Sequence, residues 1–129
     1  MEKIAIVDYK NGKFLGSIEG KDTVINLTET GLRATDFMLI SVGYCFGLTV
    51  EAYVNHKGYK IENLQIKVIG KKHEKENRYE KITIQVSFKT DLPQDKIDRI
   101  MVIGKRGCTV SNTMLKTPEI EAVYVKPNS

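Results

Sequence analysis

Among its 129 residues the chain has only two cysteines, two histidines and three prolines. Cys45 and Cys108 lie too far apart for a CxxC redox motif or a zinc knuckle, and His56 and His73 are remote from both in sequence. We therefore expect no metal site. The features of a secretory leader are also missing. Met1-Glu2-Lys3-Ile4 runs straight into alternating apolar residues, with no basic region, apolar stretch and small-residue cleavage site in succession. This predicts a cytoplasmic protein, in which two cysteines are free or catalytic rather than structural. No segment is polar and repetitive enough for disorder, and no internal repeat is visible.

An excess of either charge is lacking. The formal net charge is +4, and the Lys and Arg residues are scattered among acids. The nearest approach to a charge run, residues 71–76, mixes both signs and reads as a solvated hairpin turn rather than a nucleic-acid patch. Residues 37–54 are nearly uncharged over a length at which a membrane-spanning helix becomes possible. Ser41, Gly43, Gly47, Thr49 and Glu51 interrupt that stretch, and no second one exists. It reads as a helix buried in a soluble core or a subunit interface, so no membrane partner is expected. A hydrophobic content of 41% and a charged content of 28% are ordinary for one globular domain, here taken as residues 1–129.

The pattern predicts three short strands at 3–9, 14–18 and 24–27, the first two joined by the hairpin dipeptide Asn11-Gly12. A long helix is expected to start near Thr35, a competent N-cap, with Asp36 favourable in its first turn, and to end at Gly58. Two alternating strands follow at 63–70 and 78–89, the second with Ile82, Ile84, Val86 and Phe88 on one face. Pro93 opens a second helix with Ile97, Ile100, Met101 and Ile103 on its apolar side. Gly104-Lys105-Arg106-Gly107 should break it, and a short third helix should cover 108–115. A last strand is expected at 120–125. The order βββ-α-ββ-αα-β is an α+β pattern.

The long central helix is apolar on most of its circumference and must be covered all round. One subunit offers limited cover, and Gly43 and Gly47, four apart, would let another backbone approach. We therefore expect two copies to pack along this helix as a homodimer; glycines at that spacing would equally fit the chain's own sheet.

The segments Ala34-Thr35-Asp36-Phe37-Met38-Leu39-Ile40-Ser41-Val42-Gly43-Tyr44-Cys45 and Gly107-Cys108-Thr109-Val110-Ser111-Asn112-Thr113-Met114 carry a resemblance. They are similar to the two cysteine regions of the OsmC/Ohr family, commonly patterned P-x-E-L-L-L-A-A-L-G-x-C and C-P-V-S-x-x-L, in the right order and at the expected separation. The element order agrees, so the resemblance spans essentially the whole chain. It implies an OsmC-like intertwined homodimer with a reaction site at the subunit interface. It also implies thiol-dependent reduction of organic hydroperoxides, with Cys45 peroxidatic, Cys108 resolving, and an external dithiol as reductant. Asp36 falls where the family carries a Glu that orients an activating Arg. No tightly bound cofactor is implied.

The residues give physical reasons for such parts. The thiolate is the nucleophile, and an isolated Cys is mostly protonated at neutral pH. Cys45 is mid-helix between Tyr44 and Phe46, where desolvation alone would raise its pKa, so a cation is needed nearby. Residues 1–32 contain no Arg. Lys10 and Lys13 lie there, and Arg33 is the first Arg available, which makes it our candidate partner for Asp36. Thr109 stands where the family has Pro. Nine residues separate Asp36 from Cys45, roughly 13 Å of helix and the opposite face, so Asp36 would serve from a partner chain or from before the helix. Cys108, with a helix start behind it and Lys105 and Arg106 beside it, is the better thiolate on electrostatics alone.

Two other readings stand beside this one. Ile103-Gly104-Lys105-Arg106-Gly107 matches the GxxG loop of a KH domain, in the β-α-α-β context that module uses for single-stranded nucleic acid. The modest charge, and the apolar helix that would have no role, weigh against it. The absence of an N-terminal Arg motivates the other, an OsmC-like dimer that binds a small ligand without turnover.

Overall fold

A computed structural model describes residues 2–127. The chain forms two compact units, Met1–Met38 and Leu39–Ser129.

In the first unit, β1 (Ala5–Lys10), β2 (Lys13–Ile18) and β3 (Val24–Asn26) form an antiparallel sheet in the order β1-β2-β3. Asn11 and Gly12 take φ of 51° and 76°, the paired left-handed conformation a two-residue hairpin turn demands, and they fix the register Ala5↔Ile18 through Lys10↔Lys13. A 3-10 turn, Thr28–Thr30, follows β3, and the Phe14 amide donates to Thr28 Oγ1 at 2.8 Å.

The long helix α1 (Ala34–Lys57) begins one residue earlier than expected. Thr35 is inside it, and the Arg33 amide donates instead to the Asp36 carboxylate at 2.8 Å. Asp36, expected to be favourable in the first turn, thus also serves as the acid half of a capping box. At the other end Gly58 adopts φ 71°, and the Tyr59 amide returns to the Val54 carbonyl at 2.9 Å, closing the helix with a left-handed residue.

From Leu39 onward α1 is the spine of the second unit, and its faces have separate fates. Val42, Phe46, Val50 and Val54, one turn apart, are buried and join Ile100 and Cys108 as the fully buried apolar residues among those described. Gly43 and Gly47 face β4 (Glu62–Lys72): a Cβ on either would stand 3.0 Å from a methyl of Val68 or Ile66. The glycine pair thus fits the chain's own sheet. The chain's own sheet occupies the groove that a second helix would have used. The third face carries Ile40, Tyr44 and Leu48, which are 55%, 68% and 48% exposed. Among the described residues α1 is also the one helix long and apolar enough to cross a membrane, but two of its faces are engaged within this unit.

β4 pairs antiparallel with β5 (Tyr79–Lys89), and Ile82, Ile84, Val86 and Phe88 alternate inward as their spacing predicted. Lys71 and Lys72 prolong β4 instead of turning. The hairpin loop is built on His73, whose Nδ1 accepts the Lys75 and Glu76 amides at 3.1 and 2.9 Å. Pro93 is the N-cap of α2 (Gln94–Arg106).

Two expectations fail here. Gly104 does not break α2, which continues to Arg106, so residues 104–107 form no exposed GxxG loop and the KH reading loses its structural basis. The physical reason is packing. Gly104 is buried, and its hydrogen takes the space a side chain would need against the Phe46 ring. The expected strand at 120–125 is also not formed. After α3 (Thr109–Leu115), residues 117–127 have no regular structure, and Ile120, Val123, Tyr124 and Val125 are exposed. A strand needs a ladder partner, and a single chain gives this segment none.

Candidate functional site

The two cysteines, remote in sequence, meet at the corner between α2 and α3. Cys45 lies on the flank of α1 that borders the Val42 and Phe46 stripe, and it packs against the buried cluster that contains Cys108. Glycine at positions 104 and 107 is what brings α2 and the corner down onto α1. A Cβ at 104 would meet Phe46 at 2.6 Å, and one at 107 would meet Thr49 Cγ2 at 2.4 Å. Polar contacts then hold the corner from both sides. Thr49 Oγ1, one turn after Cys45, lies 3.1 Å from the Cys45 carbonyl and 3.2 Å from the Gly107 carbonyl, so its proton bonds helix and corner alike. Asn112 Nδ2 donates to the Arg106 carbonyl at 3.0 Å, tying α3 back to the end of α2.

Both thiols are free. Cys45 is half-buried, and Cys108 is fully buried at 0% exposure. The Cys108 thiol is nevertheless held below its ordinary pKa. Burial is the largest single influence and pushes it up. The Ser111 hydroxyl and amide, the Cys45 thiol and the Val110 amide direct donors at the sulfur and together outweigh it. Ser111 Oγ also reaches the Cys108 carbonyl at 3.2 Å, and as a thiol Cys108 points to the Val42 carbonyl at 3.9 Å. The Cys45 side chain thus packs against the cluster that holds Cys108 and is one of the groups that favour the Cys108 anion.

The same unit holds a cavity of about 780 Å³ whose apolar walls include Phe46, Ile84 and Met101 and whose polar lining includes Ser111, Lys105 and Glu80; neither cysteine lines it. The structure brings Arg33 and Asp36 together only through the backbone bond that caps α1. Their side chains form no ion pair, and both belong to the first unit, whereas Cys45 and Cys108 belong to the second. Among the described residues, no three His, Cys, Asp or Glu side chains cluster as metal ligands.

Sequence reasoning missed Thr49 and Ser111. The signals were present: Thr49 is four residues past Cys45, one helical turn, and Ser111 is three past Cys108, the spacing of a residue that caps back onto a helix start.

With the geometry in place, the chain can be set against known proteins. The family model described as OsmC-like protein matches residues 27–123. No curated protein matches. Among solved structures, the chain is similar to a hypothetical protein from Aquifex aeolicus, with a TM-score of 0.74 and 20% identity over 91% of this chain and 89% of that one. It is similar to an OsmC-like protein from Mycoplasma pneumoniae, with a TM-score of 0.67 and 11% identity over 90% and 87% of the two chains. The organic hydroperoxide resistance protein OhrB of Bacillus subtilis aligns with a TM-score of 0.53 and 14% identity over 88% and 90%. These likenesses are of fold; membership rests on the family match, which includes both cysteines and the helix corner that joins them. The chain belongs to the OsmC-like protein family.

Proposed function

We propose that this protein reduces organic hydroperoxides by a two-thiol cycle at Cys45 and Cys108. One observation carries the reading: two free cysteines from distant segments come together, Cys45 packed against the buried cluster that contains Cys108, and donors around Cys108 favour its thiolate. A purely structural role for the two cysteines would require no such donors. The family match and the likeness of fold to a hydroperoxide resistance protein support the same chemistry.

Access supports Cys45 for the first step, because it is half-buried while Cys108 is buried. The Cys45 thiolate attacks one peroxide oxygen; an S–O bond forms and the O–O bond breaks. The alkoxide leaves and takes a proton to become the alcohol, and Cys45 becomes a sulfenic acid. The Cys108 thiolate, favoured by Ser111 and Val110, attacks the sulfenic sulfur. An S–S bond forms, the S–O bond breaks, and hydroxide leaves as water after protonation. An external dithiol then returns two electrons by thiol–disulfide exchange. The cavity edged by Ser111 and Lys105 offers an apolar body of the peroxide somewhere to lie.

A homodimer belongs to the same proposal. The exposed stripe Ile40, Tyr44, Leu48 and the exposed apolar segment 120–125 leave apolar area that a second copy would cover. Asp36 and Arg33 would then act from the partner chain, supplying and orienting positive charge. The setting we propose is the cytoplasm, with neither membrane nor nucleic acid as a partner.

The test is a pair of variants in a peroxide-consumption assay with excess dithiol. Cys45→Ser should abolish turnover. Cys108→Ser, mixed with hydroperoxide in the absence of dithiol, should give one equivalent of sulfenic acid at Cys45 and no intramolecular disulfide. Full turnover by Cys45→Ser would overturn the assignment. If both variants and the parent left hydroperoxide untouched, the cavity would favour the second reading, a small-ligand binder.

A further inference from the structure

The Gly104–Gly107 segment and Thr49 are not used by the two-thiol cycle as written, yet they hold the corner that carries Cys108 against α1. Cys45 is fixed by a long helix. Cys108 is on a corner between two helices, attached to α1 by few direct bonds. Of these, the Thr49 contact is the one that links the backbone of Cys45 itself to the residue preceding Cys108. Hydroxyl-to-carbonyl bonding within a helix is common for Thr. Reaching a second carbonyl on another element at 3.2 Å is not part of that habit. The fit is also steric, because the Thr49 methyl occupies the space above Gly107 that any side chain there would claim, a Cβ standing 2.4 Å away.

We propose that Thr49 is the positioning residue of the thiol pair: its hydroxyl, bridging the Cys45 and Gly107 carbonyls over a bare glycine, sets the effective concentration of Cys108 at Cys45. This rests on the two-thiol reading above. Thr49 touches neither sulfur and moves no proton. It narrows the range of positions the corner samples, so that the resolving attack finds its target in place.

The measurement is an equilibrium competition between the protein and glutathione. In it, the two thiols and one glutathione disulfide exchange to one intramolecular disulfide and two glutathione thiols, with electrons and protons conserved. The ratio at equilibrium gives the effective concentration of the pair. Thr49→Val keeps the shape and removes the hydroxyl, and should lower that concentration about fivefold, the worth of one hydrogen bond. Thr49→Ser restores the hydroxyl and should return the value to within about twofold of the parent, a rescue that loss of a packing methyl alone would not produce. An unchanged value in Thr49→Val would overturn this inference while leaving the two-thiol cycle standing. Failure of the parent itself to form a Cys45–Cys108 disulfide would overturn the cycle, and the inference with it.

Discussion

Replacing Gly104 with alanine sets two effects of opposite sign against each other, and the structure decides between them. In an exposed helix the change is stabilising, by about 0.5–1 kcal/mol, because glycine loses more backbone entropy on folding. At this position a Cβ would stand 2.6 Å from Cε1 and Cζ of Phe46 and 3.1 Å from a Val50 methyl. Phe46 is itself buried, at 2% exposure, so its ring cannot simply swing into solvent. Forcing a methyl into a filled core costs about 1–3 kcal/mol. The propensity gain is also reduced at a site near the end of α2. We expect Gly104→Ala to destabilise by about 1–2 kcal/mol, read as a lower urea midpoint at unchanged slope and fixed protein concentration. Carried out in a Phe46→Leu background, the same substitution should cost less, because the atoms it strikes are gone; that coupling identifies the contact. A Gly104→Ala protein as stable as its parent, or a penalty unchanged by Phe46→Leu, would refute the close approach of α2 to α1 on which the cysteine pairing depends.

Two more expectations follow from the same contacts. In Cys45→Ser, which retains a hydroxyl donor, the Cys108 thiol should titrate below the ordinary cysteine value by ultraviolet thiolate absorbance; in Cys45→Ala the midpoint should rise, one donor having been lost. Because the folded value is depressed, the linked stability is fully present above the unfolded thiol pKa and fades as pH falls through the folded one, so a stability slope of opposite sign would contradict the site. Tyr44→Glu, on the exposed stripe of α1, should convert a dimer to monomer by light scattering while leaving helical content unchanged; a parent that is already monomeric would remove the dimer from the proposal.

Local rules made much of the fold legible. Asn11-Gly12 specified its hairpin, Gly58 its helix end, and the alternation from Ile82 to Phe88 its buried face, because each is decided by φ or by a short periodicity. Gly104 was misjudged for a tertiary reason. A glycine in a basic tetrapeptide reads as a break, and only the Phe46 ring beneath it explains why the helix continues. Residues 120–125 have the alternation of a strand but no ladder partner within one chain, information that one sequence folded alone cannot hold. The cysteines were identified by motif. Their adjacency, the role of Ser111 and the Thr49 bridge depend on how α2 and α3 turn, which no spacing rule encodes. Asp36 stands at the family's Glu position and Arg33 is the first Arg in the chain, and the contact made between them within the chain is a backbone cap.

The most direct trial of the central claim is a thiol count on the fully reduced protein after one equivalent of an organic hydroperoxide, followed by peptide mapping. The two-thiol cycle predicts that both thiols disappear together and that one cross-linked peptide pair joins Cys45 to Cys108 within a single chain. Retention of both thiols, or a disulfide joining cysteines of separate chains, would contradict it.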